Sequence, residues 1–190
     1  MARLLILASG SLWRRRLLKK HGIPCKVLLS RFEEHIHHQN PRTLVVHNAS
    51  GKAVSVARHF KNAIVIGVDT VGVLSGRILG KPKNRQVARR MLRALSGTTH
   101  RVISGLCVID TRTGKKITTA VTTKITFRKI LPDELEKYLD SGHWKGKAGS
   151  YAIQGRAKGF VAKIDGDITN VVGLPIPTLK KILRKLHRQK

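Results

Sequence analysis

The sequence predicts a mixed α/β fold formed by a single domain over residues 1–190. Hydrophobic residues make up 41% of the chain, which is enough to build a substantial core. Aromatic residues make up only 4%, so that core must consist mainly of Val, Ile, Leu and Ala, as is typical of layered α/β packing. An unbroken apolar run over residues 63–68 is typical of a strand buried on both faces.

Strand-like and helix-like segments alternate in the first part of the chain. A small-residue turn, Ser9-Gly10-Ser11, separates the first strand from a basic amphipathic helix. The predicted elements are a strand over Arg3–Ala8, a helix over Leu12–His21 that stops at Gly22, a strand over Cys25–Leu29, a helix over Arg42–Phe60 with Lys52 inside it, and a strand from Ala63 that ends at Asp69.

The remainder of the chain has more turn signals and longer strand-like segments. Asn84 is a helix cap, and the turn-forming residues 110–114 join two long strands that should pair antiparallel. The predicted elements are a hairpin of Val71–Leu74 with Arg77–Leu79, a helix over Asn84–Leu95, strands over Thr99–Ile109 and Ile117–Phe127, a short helix from Pro132, a strand over Phe160–Ile164 and a terminal helix from Pro175 or Pro177.

The charge of the chain is extreme. There are 38 Lys and Arg residues against 10 Asp and Glu, for a formal net charge of +28. Such a protein attracts any polyanion, so nonspecific binding of nucleic acid is an expected consequence. An equally weighted explanation is that the charge reflects a basic proteome or an unusual cytoplasm.

Several classes of protein are disfavoured by the sequence. Cys25 and Cys107 lie far apart, which indicates neither a disulfide framework nor a zinc site and fits a reducing cytoplasm. No stretch approaches the ~18 apolar residues of a membrane span, so no membrane partner is expected. The three histidines of His35-Ile36-His37-His38 lie in a polar loop without the framing Cys or acid geometry of a metal site, and we interpret them as solvated instead of metal-binding.

Asp69 is the best candidate for a catalytic residue. A carboxylate carried to the end of a buried strand lies where ligands bind in open α/β sheets. Ser9, Ser11 and Arg14 surround a predicted helix N-terminus, which suits a phosphate, although such turns often use small residues for geometry alone. Lys81 follows Gly80 in a Gly-Lys-Pro segment, where backbone can approach a phosphate closely, although surface charge is the simpler explanation.

A series of short motifs spans nearly the whole chain. In order they are Leu7-Ala8-Ser9-Gly10-Ser11 with Arg14, Glu33-Glu34, Lys52-Ala53, Ile66-Gly67-Val68-Asp69-Thr70, Leu79-Gly80-Lys81-Pro82, Met91-Leu92 through Leu95-Ser96-Gly97 to His100, Lys147-Ala148-Gly149, Tyr151-Ala152-Ile153-Gln154-Gly155 and Asn170-Val171-Val172-Gly173-Leu174-Pro175. No single motif would suffice, but together and in this order they resemble those of the Maf (septum formation inhibitor-like) nucleotide pyrophosphatases.

This resemblance implies a fold, a reaction and a setting. The fold would be a curved mixed sheet flanked by helices, with two lobes around a cleft, related to the inosine triphosphate pyrophosphatases. The reaction would be hydrolysis of a nucleoside triphosphate between its α and β phosphates, releasing a monophosphate and pyrophosphate with the help of a divalent metal cation, Mg²⁺ or Mn²⁺. Members of the family are cytoplasmic and are linked to arrest of septum formation. The resemblance also suggests that this protein forms a homodimer.

The resemblance also implies roles for individual residues. Asp69 matches the catalytic acid and would activate water. Glu34 would join Asp69 in holding the metal. The triphosphate would be cradled by the side chains of Ser9, Ser11, Arg14, Lys52, Lys81 and Lys147.

Four positions bear on substrate choice and on activity. Trp13 resembles the branch preferring 7-methyl-GTP, although it could equally be a packing residue, whereas Thr70 and Gln154 resemble the branch acting on dTTP and UTP. We therefore expect pyrimidine triphosphates. Gly146 stands where the family has Asp, so one alternative is a catalytically weakened scaffold that binds nucleotides or nucleic acid. A separate alternative is a regulator of division that senses nucleoside triphosphates by binding them without cleaving them.

Overall fold

A computed structural model describes residues 3–35 and 40–187 of the chain. Two short 3₁₀ helices, Ala148–Ser150 and Arg156–Phe160, accompany the regular elements. The described elements in chain order are β1 (Leu4–Ala8), α1 (Leu12–Lys20), β2 (Lys26–Leu28), α2 (Pro41–Ala57), β3 (Ala63–Leu74), β4 (Arg77–Leu79), α3 (Arg85–Leu95), β5 (Thr99–Asp110), β6 (Lys116–Phe127), α4 (Pro132–Asp140), β7 (Val161–Asp165), α5 (Ile168–Val172) and α6 (Ile176–His187).

The strands form one open mixed sheet. Its order is β2-β1-β3-β5-β6-β7, and β4 pairs with β3 outside that path. β1 is parallel to both β2 and β3, whereas β4 is antiparallel to β3 and β7 is antiparallel to β6. This confirms the predicted mixed α/β fold with helices flanking the sheet.

The chain divides into two compact units, and we describe each by itself. The first unit comprises Met1–Thr70, Ile103–Val121 and Gly173–Lys190, and the second comprises Val71–Val102 and Thr122–Val172. The core of the first unit lies between α2 and the central strands and includes Ile6, Ala49, Ala53, Val65 and Cys107.

Glycines let α2 lie directly on the sheet of the first unit. A Cβ atom on Gly67 of β3 would lie 2.0 Å from the Ala49 carbonyl oxygen of α2, and one on Gly105 of β5 would lie 2.1 Å from the Val45 carbonyl oxygen. Only glycine permits so close an approach of backbone to backbone. The inward face of α2 is therefore held against β3.

The second unit has its own apolar core. It is built from α3, α4 and the strand residues facing them, and it contains several of the few aromatic side chains. Its buried members include Leu92, Leu95, Phe127, Leu139, Trp144 and Phe160.

One sequence prediction about the strands was wrong. The strand containing Asp69 does not end there but continues to Leu74, because Gly72, Val73 and Leu74 pair with β4 and extend the same strand. Asp69 is therefore internal to β3. The sequence also missed α5 and the two 3₁₀ helices.

The sequence also led to predictions about a histidine cluster, two cysteines and the absence of a membrane span. Ile36, His37 and His38 of the predicted histidine cluster lie outside the described residues, so that interpretation stays a prediction. Cys25 and Cys107 are free thiols, and burial raises the pKa of Cys107 to about 11. Within residues 3–35 and 40–187, no helix has both the length and the apolar character required to cross a membrane.

Candidate active site

Asp69 lies beside the end of β1 in the first unit, even though its own strand continues beyond it. The parallel register of β1 with β3 reaches Leu7 opposite Ile66, and β1 ends at Ala8. Asp69 follows immediately beyond this point on β3, where the neighbouring parallel strand has ended. The side chain is buried, with only 6% of the residue exposed. It occupies the edge at which open α/β sheets bind ligands.

Two side chains from α2 hold the Asp69 carboxylate. Lys52 Nζ donates to Asp69 Oδ1 at 2.9 Å, and Asn48 Nδ2 donates to Asp69 Oδ2 at 3.1 Å. Asn48 and Lys52 are four residues apart, one turn of helix, so both point from the same face of α2. Both carboxylate oxygens are thus fixed in orientation by buried donors.

Asn48 is a site residue that sequence reasoning missed. Asn48 is only 2% exposed. Its side-chain oxygen accepts from the His35 amide at 3.0 Å, and its Nδ2 also donates to the His35 carbonyl at 2.9 Å. The sequence feature that could have identified Asn48 is its position one helical turn before Lys52, on the same inward face of the predicted helix.

Lys52 also connects Asp69 to Glu34. Its Nζ lies 2.7 Å from Glu34 Oε1, while the Glu34 side chain remains 54% exposed. The third neighbour of the ammonium is the Val68 carbonyl oxygen at 3.4 Å. One cation therefore sits between a buried and a half-exposed carboxylate.

Arg14 makes a second group of contacts around the same strand. Its guanidinium donates to Gly173 O at 2.8 Å, Ser9 Oγ at 2.9 Å, Val68 O at 3.0 Å and Thr70 Oγ1 at 3.2 Å. Burial lowers the pKa of Arg14, with the charges of Asp69 and Glu34 acting in the opposite direction. The Val68 carbonyl is shared by Arg14 and Lys52, which joins the two groups of residues.

The hydroxyl groups near Arg14 support the turn that follows β1. Ser9 Oγ accepts from the Ser11 amide at 3.3 Å, and Ser11 caps α1 by accepting from the Arg14 amide at 3.5 Å. Thr70 Oγ1 is within 2.8 Å of Ser104 Oγ. Trp13 is half-buried, and the Arg16 guanidinium lies over its ring at 5.0 Å.

The other predicted site residues, Lys81, Lys147 and Gln154, belong to the second unit. Their two lysine loops are joined there, because the Gly149 amide donates to the Gly80 carbonyl at 3.0 Å. Lys81 is exposed, whereas Lys147 and Gln154 are half-buried. The contribution of these three residues to the site of Asp69 stays a prediction.

A buried network fixes the Lys147 loop within the second unit. Ser150 adopts φ of 67°, a left-handed conformation that is unfavourable for serine. Its carbonyl accepts from Tyr138 Oη at 3.1 Å, and the next residue, Tyr151, places its hydroxyl 2.6 Å from His100 Nε2. Burial lowers the pKa of His100 to about 4, so this histidine is neutral at physiological pH.

A comparison with protein-family models identifies the family of the chain. The model described as Maf-like protein matches residues 4–186. The chain belongs to the Maf family. The match includes every residue that the sequence analysis assigned to the site.

Individual Maf relatives are similar to this chain over nearly their whole length. Proteins named dTTP/UTP pyrophosphatase from Moorella thermoacetica and Alkaliphilus metalliredigens are 43% and 44% identical, over 94% and 95% of this chain and 93% and 95% of their own lengths. A protein of the same name from Pyrococcus abyssi is 42% identical over 95% of both chains.

Proposed function

We propose that this Maf protein is a pyrophosphatase that hydrolyses dTTP and UTP between the α and β phosphates. Full-length similarity to relatives named dTTP/UTP pyrophosphatase carries this proposal. The held carboxylate of Asp69 supplies a group suited to the chemistry. One water is added across the phosphoanhydride, and a nucleoside monophosphate and pyrophosphate are released.

Asp69 acts as the general base in this proposal. Its carboxylate takes a proton from the attacking water while the bond between phosphorus and the bridging oxygen breaks. Asn48 and Lys52 orient the two carboxylate oxygens, so the base is positioned before substrate arrives. Because the residue is buried, few other waters compete at the carboxylate.

The triphosphate is bound by cations from several segments. Arg14 and Lys52 act from the first unit with the Ser9 and Ser11 hydroxyls, and Lys81 and Lys147 act from the second. Lys52 already contacts two carboxylates, so phosphate binding must compete with Glu34 or Asp69 for its donors. Glycines beside the two lysines of the second unit leave backbone open to an anion.

A divalent cation, Mg²⁺ or Mn²⁺, fits Glu34 and Asp69 of the first unit. No cluster of three or more His, Cys, Asp or Glu suited to a metal occurs among residues 3–35 and 40–187. Mg²⁺ is usually bound by one or two carboxylates together with substrate phosphates, and Glu34 and Asp69 already converge on one ammonium. Bound there, the metal would neutralise phosphate charge and polarise water.

The residues proposed to select the base favour pyrimidines. Thr70 and Gln154 match the branch acting on dTTP and UTP, whereas Trp13 matches the branch acting on 7-methyl-GTP. Arg16 covers one face of the Trp13 ring, which disfavours stacking of a second cationic group on that face.

Substrate tests distinguish these assignments. Purified protein with Mg²⁺ should release pyrophosphate from dTTP and UTP faster than from CTP, GTP and 7-methyl-GTP. Asp69→Asn should reduce kcat by at least about 100-fold, as loss of a general base does, without a change in the circular dichroism spectrum. Asp165→Asn, which alters an exposed carboxylate, is the matched control. Full activity of Asp69→Asn would refute the assignment of the base.

The alternative is a catalytically weakened scaffold that binds nucleotides or nucleic acid, and Gly146 is the observation favouring it. Gly146 adopts φ of 67°, with nothing within 4 Å of the position of a Cβ atom. An added side chain would therefore fit, at a backbone cost of about 1 kcal/mol.

Restoring the missing carboxylate tests this alternative. Gly146→Asp should raise kcat/KM at limiting Mg²⁺ if the absence of the acid weakens catalysis. Gly146→Asn has the same backbone cost without the charge, and it should not raise kcat/KM. Equal values for the two variants would show that the glycine is no impairment.

We also propose that the protein acts in the cytoplasm and that it forms a homodimer. Sedimentation equilibrium would test the homodimer directly. A monomer at micromolar concentration would exclude the dimer. The net charge of +28 would also attract nucleic acid, and the strength of that binding depends on where the Lys and Arg side chains lie on the surface.

A further inference from the structure

The outward face of α1 carries a group of cations without acidic partners. Arg15, Arg16, Lys19 and Lys20 are all exposed, whereas Arg14 on the same helix turns toward β3 and donates to the Val68 carbonyl. Among the ion pairs of the described residues, none joins these four side chains to an Asp or Glu. We call these four residues the α1 basic face.

Three of the four acids of the first unit are paired with cations outside this face. The first unit contains 21 of the 38 Lys and Arg residues but only four of the ten acids. Within that unit, Glu34 and Asp69 pair with Lys52, and Asp110 pairs with Arg3. The α1 basic face is therefore left with a strong positive potential.

The arrangement has a cost to the helix itself. Arg15 and Lys19, and likewise Arg16 and Lys20, are four residues apart, where like charges destabilise a helix by about 0.2 to 0.5 kcal/mol per pair. Lys19 and Lys20 gain from the helix dipole because they lie in the last turn, but Arg15 and Arg16 do not. A bound polyanion would relieve the repulsion of all four.

A pocket lies beside the α1 basic face and makes the adjoining surface concave. Arg15 and Lys19, together with the segment Gly22–Cys25, line this open pocket of about 340 Å³. The next residue, Lys26, is exposed on β2, which is the first strand in the sheet order and has a neighbour on one side only. The cations thus border a concave surface with an apolar floor at Ile23 and Pro24.

We propose that the α1 basic face binds single-stranded nucleic acid through its phosphate backbone. From Arg15 to Lys20 the helix rises about 7.5 Å, a short strip beside a concavity. A flexible strand can bend into such a surface, whereas duplex DNA is stiff over about 150 base pairs. Single-strand binders characteristically combine a positive groove with sequence-independent contacts.

The test uses a double variant and a control of equal charge. Arg15→Glu with Arg16→Glu removes two cations and places carboxylates four residues before Lys19 and Lys20, which favours the helix and protects folding. Lys158→Glu with Lys163→Glu makes the same charge change at exposed positions of the second unit. The probe is a fluorescent oligothymidylate of about 12 nucleotides, within the usual site sizes.

Fluorescence anisotropy is measured between about 50 and 200 mM salt. We expect the α1 variant to lose about tenfold or more in affinity at the lowest salt, and its slope of log K against log salt to fall by about 1.4, for two phosphate contacts. The control should change little. Equal losses in both variants, an unchanged α1 variant, or tighter binding of a duplex of the same length would each overturn the proposal.

Discussion

The guanidinium of Arg14 joins three parts of the first unit. It donates to the turn after β1 at Ser9, to β3 at Val68 and Thr70, and to the backbone at Gly173. A planar group with five donors can satisfy these acceptors together, and an ammonium cannot. The residue predicted to bind phosphate therefore also organises the site before substrate binds.

Asn48 provides a test at the residue scale. Asn48→Asp would replace a donor 3.1 Å from Asp69 Oδ2 with a second carboxylate. Neighbouring carboxylates disfavour joint ionisation, so the acid limb of the kcat/KM profile should move to higher pH. The profile is measured with UTP and Mg²⁺ from pH 5 to pH 9, the range around neutrality in which such shifts are resolved.

The control for this prediction is another Asn→Asp change. Asn84 caps α3 by accepting from the Val87 amide at 2.9 Å, a role that aspartate performs equally well. Asn84→Asp should therefore leave the acid limb in place. An unshifted limb in Asn48→Asp would show that Asn48 does not set the charge state of the base.

At the scale of elements, the contact between α2 and β3 determines the site. The helix supplies both Asn48 and Lys52, and its distance from the strand is set by Gly67, which faces the Ala49 carbonyl. Nothing in the site itself reveals this dependence, because Gly67 touches neither carboxylate. The close approach of the two backbones therefore positions the donors of α2 against Asp69.

Gly67→Ala tests the role of this packing. The added Cβ atom would lie 2.0 Å from Ala49 O and 2.7 Å from Ala53 N, so α2 must shift. Overpacking of this kind costs about 1 to 3 kcal/mol, and the shift should also lower kcat by separating Lys52 and Asn48 from Asp69.

Urea unfolding and UTP hydrolysis measure the two effects of Gly67→Ala. Gly159→Ala is the control, since nothing lies within 4 Å of the position of its Cβ atom. Wild-type stability and turnover in Gly67→Ala would show that α2 can move without disturbing the acid.

At the scale of the whole molecule, stability should depend on pH through His100. Its residue is 1% exposed, its Nδ1 has no hydrogen-bond partner, and burial lowers its pKa from 6.5 to about 4. The unfolded chain therefore takes up this proton first as the pH falls, and stability decreases between pH 6.5 and pH 4. The shift corresponds to a loss of about 3 kcal/mol.

Urea unfolding at several pH values checks this dependence. His100→Gln should flatten the stability profile between pH 6.5 and pH 4, while His59→Gln, at an exposed position, should keep it. If the two variants lose stability in parallel with wild type, the acid sensitivity arises from other groups.

Local patterns in the sequence determined much of the molecule. Hydrophobic periodicity, caps and turn residues predicted most helices and strands to within a few residues, because these features act over one or two turns. The ordered motifs identified the Maf family and placed Asp69, Lys52 and Glu34 among its site residues. Family membership can be inferred without knowledge of the fold, because it depends on the types of residues in the motifs and on their order along the chain.

Only the tertiary structure decided how these residues meet. Pairing with β4 carries β3 past Asp69, and the close packing of α2 brings in Asn48, which no motif singled out. Lys52 bridges residues 18 positions before it and 17 positions after it. Such contacts depend on which surfaces of helix and sheet face each other, and the periodicity of a single segment carries no information about its partner.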